Sequence, residues 1–502
     1  MRRIHGVVLA AGLLALFAIA SNGTLRVPFW IKPADSPAPD ICVLPRFVKP
    51  VAAVVGPVVG PVANPLDSHL IQLSLAPDHR RVHPSPDGHV FVHVSLTGAE
   101  NASPQRQASP SSPPVDLILV IDRSGSMMAR GKLDYARSAA KIAGKNLGPE
   151  DRIALITFDQ VSRVIRPLAP LTDRDAYDAT VNSIQPGGST NLYQGLKDGG
   201  DQLQGDGRGN RVRRILLLTD GLASFGETDP AAFVELAKTY GRAGIAVTTL
   251  GLGNEYNEDL LVQVADFSGG HYAYLDHPMF IAKVYGREVE SLKTLVAKAA
   301  WLKIKVSPTV DISRVLGPKG YFLEGRLLTI PLGDFASGET RNVVLDLTVH
   351  SPGPAPDASS SPPPAGWVVE ASVSYRNPSA EDQELQTQQS LNIGLATSGA
   401  DQFASRDAAV EEIVEGFTSS LVLEKASALV ALGQRHEAKE MLLEQAQRIR
   451  ERPGQNASRS GRLSQADNLE QTATALVEVA QDADSVSRFV KQQKFNAYQL
   501  AR

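Results

Sequence analysis

"VDLILVIDRSGSMMARGK", residues Val115 to Lys132, is the stretch on which the reading of this chain turns. An apolar run interrupted only by Asp116 leads straight into an acid, two serines and a glycine, and then into helix-forming residues. A run that is apolar at nearly every position suits a strand covered on both faces. The residues after such a strand lie where covered sheets bind ligands, at the carboxyl ends of their strands.

The pattern repeats downstream. Leu133, Ala136, Ala140, Ala143 and Leu147 share one helical side, and Arg152 to Phe158 reads as a strand again. A helix from Leu192, a strand "RRILLLT", a helix from Asp229, a strand "IAVTTLG", a helix from Asn257 and a strand "GHYAYL" come next in turn. A long helix predicted from Pro278 to Ala300 closes the series. This alternation predicts an α/β domain over residues 115–300, with a doubly wound, mostly parallel sheet.

The topology places three loops at one edge of that sheet. Asp122, Ser124 and Ser126 follow the first strand, Thr190 sits in "PGGSTNLYQGL" before a helix, and Asp220 ends "ILLLTDG". Alternate residues of an extended loop turn the same way, so the acid and the two hydroxyls can converge. The set is all oxygen, which selects a hard cation such as Mg2+, Mn2+ or Ca2+ over zinc.

D-x-S-x-S after a first strand, Thr in a G-G-S-T loop and T-D-G after a later strand together resemble the metal-ion-dependent adhesion site of the von Willebrand factor A family. Asp122, Ser124, Ser126, Thr190 and Asp220 match its five positions. "DRIALITFD", "GLGNEYNEDLL" and "GGHYAYLD" extend the resemblance to bacterial members. It implies that Ser124 and Ser126 bind the metal directly, while Asp122, Thr190 and Asp220 do so directly or through water. It also implies a coordination site left open for an Asp or Glu of a protein partner. In the family, rearrangement of the metal loops can slide the last helix of the domain. Here that helix runs into the strand "WLKIKV" with no Gly or Pro between them, so it either transmits metal occupancy or acts as a rigid spacer.

Competing chemistries fit less well. Gly251 and Gly253 follow a strand, but Tyr256 stands where a dinucleotide loop needs its third glycine. Asp122 as a phosphoryl-accepting nucleophile, as in haloacid-dehalogenase-like phosphatases, would need a second carboxylate two residues on, and Ser124 is there. No serine with a placed histidine and acid stands out for acyl transfer. The expectation is a protein that is not an enzyme.

The flanks read differently. Val90, Val92, Val94 and Leu96 alternate with His89, Phe91 and His93, which predicts a strand whose second face meets solvent. His79, His83, His89 and His93 could be taken for a zinc cluster, but solvent-facing histidines fit that pattern better. After residue 300, Leu302, Ile304 and Val306, then Val343, Leu345, Leu347 and Val349, then Trp367 to Tyr375 alternate in the same way. Too few strands precede the α/β domain to bury a core alone. Residues 68–97 and 301–394 are therefore predicted to form one antiparallel β-sandwich in which the α/β domain is inserted. Residues 98–114 and the segment "SPGPAPDASSSPPPAG" read as disordered tethers.

Residues 395–502 are predicted to be helical. One helix stops at Gly433, a second runs to Pro453, a third starts at Ser464 and a fourth ends near Tyr498. "ALVALGQRHEAKEMLLEQA" resembles a single tetratricopeptide repeat, and one copy suits a cap on the sandwich better than a peptide-binding array.

At the other end, Arg2-Arg3, the apolar run Gly6 to Ala20 and Ala18-Ile19-Ala20 predict a signal peptide over residues 1–20, with an uncleaved anchor as the alternative. Residues 21–67 are a Pro/Gly-rich linker holding the lone Cys42, so no internal disulfide is available. The expected location is periplasm, cell surface or medium. A formal net charge of -4 without a basic tract argues against nucleic acid, and no apolar run could form a pore. The sequence thus predicts an exported, metal-dependent protein-binding module. Two alternatives stay open: an envelope component whose metal only braces the loops, and an accessory subunit of a transport system.

Overall fold

The structure is a computed structural model that describes residues 70–83, 88–100, 113–204, 210–350, 366–451, 459–479 and 482–501. The predicted signal peptide, the linker with Cys42, and most of both tethers lie outside these residues.

The chain enters through β1 (Ile71–Pro77), β2 (Arg81–Val82) and β3 (His89–Gly98). It then builds the α/β domain from β4 (Val115–Asp122), α1 (Lys132–Lys145), β5 (Arg152–Phe158), β6 (Ser162–Pro170), α2 (Arg174–Asn182) and α3 (Leu192–Gln204). β7 (Val212–Gly221), α4 (Pro230–Ala243), β8 (Ile245–Glu255), α5 (Glu258–Ser268), β9 (Tyr272–Leu275) and α6 (Ile281–Lys293) complete it. The sheet order is β6-β5-β4-β7-β8-β9, parallel except at edge strand β6. Ile118 and Val120 of β4 pack into a core with Leu196 of α3, Tyr240 of α4 and Leu261 of α5. Leu117, Leu119 and Ile121, pointing the other way, are just as buried, so both faces of the sheet are covered. That double burial is why β4 reads as a continuous apolar run.

Seven more strands come after it: β10 (Leu295–Val306), β11 (Val310–Leu316), β12 (Phe322–Glu324), β13 (Leu327–Ala336), β14 (Thr340–Val349), β15 (Gly366–Asn377) and β16 (Gln383–Leu395). One antiparallel sheet has the order β1-β3-β14-β11; the facing sheet has the order β12-β13-β10-β15-β16-β2. Val92↔Leu345 and Val94↔Val343 are direct partners, so strands from both sides of the α/β domain share one ladder. Leu302, Ile304, Trp367, Val369 and Val373 fill the space between the sheets with Val90, Val92 and Val94. The chain is thus a doubly wound α/β domain inserted in an antiparallel sandwich, with a helical region after it.

Three details differ from the sequence reading. The last helix of the α/β domain stops at Lys293, and Leu295 to Ala300 already belong to β10. "LVAKAA" carries good helix formers, but pairing with β13 and burial of Val296 and Ala297 in the sandwich core override that propensity. The second face of β3 is turned to water at His89, as the alternation predicts, but is covered further along the strand. After α7 (Gly399–Ala404), helix α8 (Ala408–Ala431), opened by Asp407 accepting from the amides of Ala409 and Val410, lays Val410, Val414 and Phe417 against Val344, Leu316 and Phe91. His93 is consequently buried, with Nε2 at 2.9 Å from Asn342 Oδ1, while His89 Nδ1 lies 3.1 Å from Asp346. The third helix of the terminal region, α10 (Arg459–Glu478), begins before Ser464.

α9 (Arg435–Glu451) and α10 pack on α8 through Leu423, Leu442 and Leu469. The final helix, α11 (Ala483–Leu500), turns to the α/β domain instead: Phe495 enters its core and the amide of Tyr272 donates to Tyr498 Oη at 3.1 Å. The helical region therefore covers the sandwich with one end and the α/β domain with the other. No helix among the described residues is long and apolar enough to cross a membrane.

Candidate metal centre

All five predicted oxygen-bearing residues meet at the carboxyl edge of the α/β sheet. Asp122 is the last residue of β4 and fully buried; its Oδ1 accepts from the amide of Ser124 at 2.8 Å and its Oδ2 from Thr219 Oγ1 at 2.7 Å. Ser124 Oγ is 3.1 Å from Ser126 Oγ, and Ser126 Oγ donates to Asp220 Oδ1 at 2.6 Å. Asp220, on β7, is equally buried. Thr190 arrives from the second loop. A Cβ placed on Gly221 would stand 3.3 Å from Thr190 Oγ1 and 3.9 Å from Ser126 Oγ, so the two hydroxyls flank the same point of backbone.

Local backbone bonds bring the loops together. The amide of Gly125 donates to Gly188 O at 2.9 Å, and that of Gly187 to Arg123 O at 2.6 Å. The amides of Ser224 and Phe225 donate to Thr190 O at 3.0 and 3.2 Å, tying the second loop to the segment after Asp220. The pair Gly187-Gly188 is needed for close approach. A Cβ on Gly187 would lie 2.0 Å from Asp159 Oδ2, and one on Gly188 1.8 Å from Gln160 Oε1.

Four participants were not singled out from the sequence. Thr219 supports Asp122 through its hydroxyl. Arg123 Nη2 pairs with Asp159 Oδ2, just after β5, at 2.5 Å, and its Nη1 donates to the backbone carbonyl of Gln185 at 2.9 Å, linking the first loop to the end of β5 and to the second loop. Lys132, the first residue of α1, places Nζ 2.5 Å from Asp220 Oδ2. Asp159 did leave a signal, because it follows an apolar strand as Asp122 and Asp220 do. Lys132 left none: its reach depends on Arg130 and Gly131, both left-handed (φ 52° and 67°), which turn the chain into α1.

The electrostatics are unbalanced. Burial, and then the charge of Asp220, push the Asp122 carboxyl from 3.8 up to about 6, against the opposing hydrogen bonds from Ser124 and Thr219. Asp220 has an ammonium beside it, whereas Asp122 has only neutral donors among the described residues. Two buried carboxylates, three hydroxyls and no nitrogen or sulfur donor suit a hard divalent cation, with Asp122, Ser124, Ser126, Thr190 and Asp220 as the residues to hold it. The four histidines of the N-terminal strands do not form a comparable set. His79 pairs with Asp78, and His89 and His93 bond to residues of β14.

Comparison with known proteins agrees with this architecture. Residues 117–223 match the von Willebrand factor type A domain family. The chain is 30% identical over 274 residues to the uncharacterized protein YfbK of Escherichia coli, covering 53% of this chain and 47% of that one. It spans about half the length of the curated relatives it matches. Among solved structures, a von Willebrand factor type A protein from Catenulispora acidiphila superposes with a TM-score of 0.63 at 16% identity, over 85% of this chain and 96% of the other. The ArnB paralog VWA2 from Sulfolobus acidocaldarius gives a TM-score of 0.53 at 16% identity, over 85% and 99%. At these identities the structures speak for fold alone, and that fold together with the match of residues 117–223 supports a von Willebrand factor type A domain in the middle of this chain.

Proposed function

We propose that this chain is an exported, non-enzymatic binding protein whose metal centre captures a carboxylate of a protein partner. The convergence of Asp122, Ser124, Ser126, Thr190 and Asp220 at one edge of the sheet, beneath the exposed Gly125 and Met128, carries the reading. A divalent cation there, Mg2+ in the first instance, supplies a Lewis-acidic point to which a carboxylate oxygen can bind. The chain's own residues orient that point. Thr219 and the Ser124 amide fix Asp122, Ser126 fixes Asp220, and the Gly125–Gly188 contact sets the distance between two loops. Those loops are already joined by backbone bonds and by Arg123 donating to Gln185 O, which leaves a purely bracing metal little to do and counts against the structural alternative.

Titration calorimetry of the full chain with Mg2+ and Mn2+ tests the site. Wild type is expected to bind and Asp220→Ala to lose binding; equal binding by both overturns it. Capture of an envelope partner is expected to vanish with EDTA and return with Mg2+, and chelator-resistant capture favours the structural reading. Export rests on the N-terminal sequence, and mass spectrometry of the mature protein is expected to find Ser21 first. An intact Met1 in the membrane fraction would replace release by anchoring.

A further inference from the structure

Lys132 is the one cationic side chain that the described residues place directly on the five-residue cluster. Its Nζ stands 2.5 Å from Asp220 Oδ2, with the lysine side chain 14% exposed and the aspartate 0%. It also lies 3.9 Å from where a Cβ on Gly253 would stand, so the ammonium is held between the ends of β7 and β8. Asp220 does not need it for hydrogen bonding alone, since Ser126 already donates to its other oxygen at 2.6 Å. Asp122, equally buried, has no such partner among the described residues.

This asymmetry sets the charge of the site. Two ionised aspartates and one lysine leave a formal charge of minus one, and a divalent cation turns it into plus one. Without the lysine the same two states would carry minus two and zero. A neutral loaded site has no net attraction for an anion; a positive one does. We propose that Lys132 is a specificity-determining residue that loosens the divalent cation and gives the loaded site the net positive charge that selects an anionic ligand. The inference rests on the metal reading given under the proposed function and extends it to a residue outside the metal-binding set. An ammonium one carboxylate away from a doubly charged ion opposes its binding by on the order of tenfold even under water-like screening.

Full-length wild type, Lys132→Met and Lys132→Arg are compared by Mg2+ calorimetry. The Met variant is expected to bind Mg2+ about tenfold more tightly, and the Arg variant within about twofold of wild type. With Mn2+ as the bound ion, acetate titrated against water proton relaxation is expected to displace metal-bound water at higher concentration in Lys132→Met than in wild type. Thermal melts give a second readout: the gain in melting temperature from metal-free to Mg2+-saturated protein is expected to be larger in Lys132→Met. Unchanged or weaker Mg2+ binding by the Met variant, or coincident acetate titrations, overturns the role of Lys132 while leaving the metal site standing. A wild type that takes up neither Mg2+ nor Mn2+ overturns both.

Discussion

Asp122 ends a strand inside the protein, where an ionised carboxylate is costly, and it is held there by donors that favour ionisation. Burial dominates. Because the folded form holds its proton up to about pH 6 and the unfolded chain only to 3.8, this group's contribution to metal-free stability is complete below about 3.8 and is lost as pH rises through about 6. That interval corresponds to at most about 3 kcal/mol, a strain that a cation bound there would relieve. Asp122→Asn removes the charge and keeps the shape, at the loss of one acceptor. At pH 7.5 the metal-free variant is therefore expected to melt at or above wild type, and Mg2+ is expected to raise the melting temperature of wild type alone. A metal-free variant less stable than wild type at that pH would mean that the carboxylate is not strained. The five oxygen-bearing residues were legible in the sequence because each follows a strand or opens a helix, and strand ends are fixed by hydrophobic pattern. Lys132 and Arg123 were not, because long side chains reach their partners through loop geometry that no periodicity records.

The same contrast holds for β3. Its inward residues Val90, Val92 and Val94 declare themselves by alternation, and they are fully buried. Its other face looked polar because histidine reads as polar, while the helix that covers it, α8, lies more than 300 residues away in the chain. Burial lowers the pKa of His93, and the bond to Asn342 offsets only part of that effect. The folded protein therefore keeps His93 neutral where the unfolded chain takes up a proton. Its contribution is intact above about 6.5 and is lost as pH falls from there toward the lowered folded value. His93→Gln keeps a hydrogen-bonding partner for Asn342 and does not titrate. In urea melts the variant is expected to gain on wild type between pH 7 and pH 5, by up to about 1.4 kcal/mol per pH unit. A difference that does not change with pH would show that His93 is solvated.

On the scale of the whole molecule, the question is whether the metal edge speaks to the sandwich through α6. The chain passes from Lys293 to Leu295 through Thr294 alone, whose carbonyl accepts from the amide of Ser337 in the β13–β14 turn at 2.9 Å. Six residues before Thr294, Glu288 accepts from Thr248 at 2.9 Å and lies 3.6 Å from Arg214, which pairs with Asp334 of β13 at 3.0 Å. Arg214, on β7, is thus clamped between the helix and the sandwich. Sliding α6 would pull Glu288 off this largely buried cluster and break its bond from Thr248 as well, at a cost of at most about 3 to 5 kcal/mol because Arg214 keeps Asp334. Coupling between sites typically supplies about 1 to 3 kcal/mol. The clamp outweighs the coupling, so α6 is expected to act as a rigid spacer, and hydrogen exchange in β10 and β13 is expected to be the same with Mg2+ and with EDTA. Glu288→Gln keeps the bond from Thr248 but removes the charge facing Arg214. Metal-dependent exchange in β10 should emerge in this variant first. If wild type already shows it, the clamp is weaker than its burial implies and metal occupancy does reach the sandwich.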